Sequence, residues 1–149
     1  MDIIKTDIVG DKYDVLWNDI SNILKNSAPK DILILVKNYA EESAEGPQLQ
    51  KMLEACKLQP RQYNILLLDS DELLAWYQLR EKLDPKIIFL IGILPSQLGI
   101  SSLFKLNEPN RFNDRIWLPT LSISELEQNP DFKKQLWING MKPLFVDSN

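Results

Sequence analysis

The chain has no histidine and a single cysteine among its 149 residues. Without histidine there is no imidazole triad, no histidine general base and no histidine-held metal. One thiol, Cys56, cannot close a disulfide within the chain. Nor can it hold a structural zinc or an iron–sulfur cluster alone. Carboxylates, lysines, hydroxyls and that thiol are what remain for chemistry. Long apolar runs are also missing: none approaches the roughly 18 residues that a spanning helix needs. Residues 1–7 lack the basic region and apolar core of a secretory signal. A cytoplasmic protein with no membrane partner is expected.

Positive charge is in deficit. The net charge is -4 and the pI about 4.9. That argues against a broad basic face for nucleic acid and leaves at most a weak, local contact. Hydrophobic residues make up 44% and charged residues 26%, the balance of a globular chain. The length suits one domain. Residues 1–12 read as a loosely held lead-in, and residues 13–149 as a single α/β domain.

The organising stretch is Ile32 to Val36, five apolar residues in a row. A half-buried strand alternates, so a continuous run implies cover on both faces. It reads as the central strand of a mainly parallel sheet. Ahead of it, Tyr13 to Asn26 reads as a helix with Leu16, Ile20, Ile23 and Leu24 on one stripe. After it, Asn38 to Glu45 is a loop. Gly46-Pro47 opens a helix that places Leu49, Met52, Leu53 and Cys56 on one face. Cys56 is expected to be a small buried hydrophobe. Tyr63 to Leu68 is a second strand. Asp71 to Leu83 reads as a third helix, with Trp76 and Tyr77 on its core stripe. Ile87 to Ile91 is a third buried strand. Leu103 to Asn107 alternates and reads as a strand or an extended arm. Pro109-Asn110 and Asn113-Asp114 are turn pairs, and Arg115 to Leu118 enters a last strand.

The tail has the sharpest local signals. Ser122 and Glu125 make a capping box, with Leu121 and Leu126 placed as a hydrophobic staple. Asn129-Pro130 starts another helix. Trp137 is expected to pack on the sheet, and Gly140 to break or close that helix. Alternating strands and helices imply right-handed crossovers and a three-layer α/β/α sandwich.

Two clusters have a chemical reading beside a plain one. Asp69, Asp71 and Glu72 follow a strand and supply oxygens of the kind Mg²⁺ takes; a helix start is acidic for ordinary reasons too. Lys105, Arg111 and Arg115 surround Phe112, which allows base stacking; a surface loop with ordinary salt bridges is the favoured reading.

Residues Pro119 to Trp137 resemble the C-terminal block of the uracil-DNA glycosylase superfamily. In that block a His-Pro-Ser loop precedes a short helix, an Asn-Pro step and a helix carrying a Trp. Residues Gly46 to Leu53 are similar to that superfamily's helix after the first strand, and residues Pro85 to Gly92 to its third strand. The resemblance spans about Asp31 to Leu144. It implies a mostly parallel four-stranded sheet in the order 2-1-3-4. The glycosylases' catalytic loops are replaced here by Lys37 to Glu42 and by Leu118-Pro119-Thr120. The same reduced pattern resembles the psi-subunit family of bacterial DNA polymerase III. That likeness implies a non-enzymatic adaptor with no cofactor or metal. Its implied partners are clamp-loader subunits, a chi-like protein or single-strand binding protein. A divergent glycosylase using Glu41 or Glu42, or a nucleic-acid-binding module, is the alternative. Aromatic and arginine side chains are favoured interface anchors. The candidate partner-binding residues are therefore Trp17, Phe104, Arg111, Phe112, Arg115 and Trp117. Trp17 and Trp117 have a core reading as well.

Overall fold

The structure is a computed structural model, and it describes residues 27–147. The expected helix at Tyr13 to Asn26, with Trp17, lies outside the described residues, as does the lead-in. The elements run β1 (Ile32–Lys37), α1 (Glu45–Ala55), β2 (Tyr63–Leu68), α2 (Trp76–Leu83), β3 (Ile87–Ile91), β4 (Asn110–Phe112), β5 (Arg115–Thr120), α3 (Ile123–Glu127) and α4 (Pro130–Gln135). A wider-turned helical stretch, Leu136–Val146, continues α4.

The sheet has five strands in the order β2-β1-β3-β5-β4. The first four are mutually parallel, and β4 pairs antiparallel with β5. The expected four-stranded 2-1-3-4 sheet therefore gains an edge strand. Its cause is the Asn113-Asp114 pair, whose residues both take positive φ (54 and 61). Two such residues make the tight loop whose twist matches a hairpin. The turn folds residues 110–112 back onto β5, with Phe112 opposite Arg115. Leu103 to Asn107, expected as strand or arm, is irregular.

β1 explains the rest of the packing. Leu33, Ile34 and Leu35 are each 0% exposed, because neighbours flank the strand on both sides and helices cover both faces. Leu33 and Leu35 join Leu66, Ile88 and Leu90 beneath Trp76, Leu79 and Leu83 of α2. Ile32, Ile34 and Val36 join Phe89, Ile91 and Leu118. Leu49, Met52 and Leu53 of α1, Leu126 of α3, and Leu136, Met141 and Phe145 cover that second face.

Three local expectations change. The helix read from Asp71 begins at Trp76. Residues 69–75 form a turn instead: Gln97 donates to the carbonyls of Asp69 (3.1 Å) and Glu72 (3.0 Å), and the Leu74 N–H donates to the Gln97 carbonyl (2.8 Å). Gly140 does not end a helix; it lies within the wide-turned stretch. A Cβ there would stand 2.7 Å from Leu118 Cδ1 and 3.1 Å from the Asn107 carbonyl oxygen. Glycine is thus needed for close approach to β5. The wide turn follows from Pro143, which has no N–H to donate and whose ring would clash with the carbonyl four residues back in an α-helix.

Trp137 is half-buried at the rim, and Leu136 takes the core position at 0% exposure. Trp117 is also 0% exposed, with its ring centroid 4.7 Å from that of Trp76. Trp117→Ala should accordingly cost about 3–5 kcal/mol. Trp137→Ala should cost less than half of that. Urea-unfolding midpoints of the two variants check the ranking, and an equal loss would contradict it.

Candidate functional site

In a parallel sheet, crossovers leaving neighbouring strands toward opposite faces open a crevice at the strands' carboxyl ends. Here the chain leaves β1 and β5 toward the face covered by α1 and α3. It leaves β3 toward the other face, where Leu98, Ile100 and Phe104 pack. Three strand ends therefore converge on Lys37, Gly92 and Ser122. A Cβ on Gly92, whose φ is +76, would meet Ser122 Cβ at 2.9 Å and Lys37 Cβ at 3.1 Å. The glycine closes the gap between the strands and lets the chain turn.

Beside this junction lies a cavity of about 520 Å³ between the ends of β3 and β5. Leu94, Ile100, Leu103, Phe104, Leu106 and Leu121 give it an apolar lining. Leu94 is 64% exposed, Leu103 99% and Leu106 47%, so large side chains stand in solvent around an apolar hollow. The Ile100 side is buried and anchors the floor. Among the described residues, Glu125 is the only ionisable side chain in the lining. A hollow of about 580 Å³ opens at the opposite end of the sheet, among Lys30, Asp31, Arg61 and Gln62. It is more polar and lies at the strands' amino ends, opposite the carboxyl-end crevice where open α/β sheets place their ligands, so it is the weaker candidate.

The Glu125 carboxylate is held below the usual carboxylate range. The Ser122 backbone N–H donates to it at 3.1 Å and the Ser122 hydroxyl at 2.9 Å, and the Lys37 charge adds a smaller push. The Glu125 N–H returns a bond to the Ser122 hydroxyl at 3.3 Å. This is the capping box read from sequence. Its hydroxyl is engaged in holding a helix end. Cys56 is 0% exposed, and burial pushes its thiol up to about 12, leaving it protonated.

The candidate partner-binding residues divide. Trp117 is core. Its indole N–H donates to the Phe112 carbonyl at 2.9 Å. Phe104 and Phe112 are half-buried and pack on it, with ring centroids 5.5 and 5.9 Å away. Arg115 is tied down: it donates to Asp84, to the Pro85 carbonyl (3.1 Å) and to the Asn113 carbonyl (2.9 Å), and it lies 5.5 Å from the Trp76 ring centre. Arg111 is exposed on β4. The basic cluster around Phe112 is thus divided between an internal brace, Arg115, and two exposed side chains, Lys105 and Arg111. Of the five candidates among the described residues, Phe104 alone reaches the crevice; Trp17 lies outside them.

The acids do not assemble. Asp69 accepts a bond from Asn38 at 2.9 Å, and Glu72 accepts from the Asp69 N–H at 2.8 Å, so both are spent on the turn after β2. Among the described residues no group of three or more metal-ligating side chains could hold an ion. Glu41 and Glu42 are exposed and do not line the crevice. Sequence reasoning missed Leu94, Leu103 and Leu106. The one available signal was apolar alternation from Leu103 in a segment with no turn-defined strand partner.

No family model and no curated protein matches the chain.

Ser122→Ala removes one helix cap and should cost about 1 kcal/mol. It should also raise the Glu125 pKa toward its ordinary value. A lowered carboxylate pKa lends stability above its ordinary value that is lost as pH falls through the folded one. The Ser122→Ala penalty should therefore shrink in acid. NMR titration of Glu125 with urea melts across that window checks both; an unmoved titration would contradict the bond.

Proposed function

We propose that the chain is a non-enzymatic, psi-like accessory subunit of the replicative polymerase and its clamp loader, working by protein–protein contact on a uracil-DNA glycosylase-like three-layer framework. Its partners on this reading are clamp-loader subunits, a chi-like protein or single-strand binding protein. One observation carries it: the crevice at the carboxyl ends of the parallel strands is lined by leucines that stand in solvent. Exposed apolar surface beside a shaped hollow suits a protein partner. General acid–base catalysis needs a positioned titratable group within reach of substrate. Among the described residues of the crevice the only such group, Glu125, spends one carboxylate oxygen on its own helix cap. The tail supports the same reading, since Pro119 is the next-to-last residue of a parallel strand that ends at Thr120 beside the crevice, and the Asn129-Pro130 step opens a helix.

The rival is a divergent glycosylase steering water with Glu41 or Glu42. Uracil-containing oligonucleotides should stay intact with the native chain. Excision abolished by Glu41→Gln or Glu42→Gln would establish the rival.

Tagged full-length protein, recovered from its native cell, should bring down clamp-loader subunits or single-strand binding protein. Leu94→Asp/Leu103→Asp should weaken that recovery about 10-fold or more, because both side chains are exposed and the fold does not depend on them. Prey without replication proteins, or prey indifferent to the double variant, would defeat the proposal.

A further inference from the structure

The segment that rims the crevice after β3 offers backbone as well as side chains. Ser101 to Phe104 belongs to no helix, strand or turn and does not bend. Among the described residues, none of its backbone N–H or C=O groups is hydrogen-bonded. The run is pinned at both ends. The Ile100 N–H donates to the Pro95 carbonyl at 3.1 Å. At the other end Asn110 brackets Lys105, accepting from its N–H and donating to its carbonyl at 2.9 Å each. Ile100 is buried and Phe104 packs on Trp117, while Leu103 is 99% exposed. All four residues of the run line the hollow of about 520 Å³.

We propose that this run is a template strand: the crevice takes an extended peptide of a partner protein, which pairs its main chain with Ser101 to Phe104, seats apolar side chains among Leu94, Leu106 and Leu121, and sets a lysine or arginine against Glu125. The inference rests on the reading that the crevice receives a protein, and not on which protein. Strand addition takes affinity from main-chain bonds and specificity from pockets for alternate side chains. Four extended residues span about 13 Å, the length of a short strand. A helical occupant would leave the run unpaired, because a helix bonds its own amides internally.

Charge selects among extended occupants. The Glu125 carboxylate accepts both Ser122 bonds through Oε1, and among the described residues its Oε2 accepts none. Lys37 lies close enough to act on this carboxylate but does not line the hollow. A lining with one carboxylate and no cation attracts a basic side chain and disfavours an acidic peptide or a phosphate backbone.

Linear peptides displayed on phage and selected against the purified full-length chain supply the probe. Selected peptides should alternate apolar residues and carry a lysine or arginine. A synthetic copy should slow amide exchange within residues 101–104 and bind Leu103→Asp at least about 10-fold more weakly. N-methylation of one set of its alternate amides should weaken binding about 10-fold or more, with the other set tolerated, because only alternate amides of a strand face the edge. Glu125→Gln, which keeps the capping box, should weaken binding about 2- to 5-fold at low salt. Peptides that are acidic, that bind Leu103→Asp unchanged, or that tolerate both methylation patterns overturn the proposal. So does protection of the run before peptide is added: constant protection assigns the run to another segment of this chain, and protection that grows with concentration to a second copy. Failure to select any peptide overturns it too; the protein contact at the crevice then stands or falls separately, on the prey of Leu94→Asp/Leu103→Asp.

Discussion

Everything in this fold follows from β1 having no solvent on any side. Five apolar residues in a row cannot be half-hidden; each must lie under a helix on one face or the other. Parallel neighbours on both edges supply the hydrogen bonds, and parallel neighbours require crossovers. The crossovers bring α1 and α2 onto opposite faces, and the two cores divide the strand residue by residue. Burying one such Leu or Ile is worth about 1.5–3 kcal/mol. The same crossovers place the crevice. Because the chain leaves β3 toward one face and β1 and β5 toward the other, the loop after β3 is pushed outward with its leucines.

How much of this was legible in sequence varies with how local the cause is. The apolar runs of β1 and β3 carry their own explanation, and so does the Ser122–Glu125 cap. β4 was hidden although its turn was visible. Three residues with an arginine in the middle do not read as a strand, and only the φ of Asn113 and Asp114 shows that the turn is a hairpin. The start of α2 was misplaced because Asp69, Asp71 and Glu72 look like a helix start. Their backbone is instead claimed by Gln97, some twenty-five residues onward, and no local pattern announces such a partner. Gly140 reads as a breaker by propensity; its reason is Leu118 of a neighbouring strand.

The candidate site was the least legible part, for the same physical reason. Aromatic and arginine residues were ranked as surface anchors by type, yet type does not fix exposure. Trp117 and Arg115 became the centre and brace of an aromatic cluster because the hairpin folds β4 over them. The hairpin that went unread thus decided which anchors were spent inside. Exposed leucines at the strand ends, which have no distinctive spacing, were left outside.

Replacing Leu103 with a photo-crosslinking amino acid in the native cell, followed by mass spectrometry, tests whether the leucine-lined crevice meets a protein. Crosslinks to a replication protein are expected, absent when the probe replaces an exposed residue far from the crevice such as Lys86. Crosslinks to nucleic acid, or none above that control, would contradict that contact.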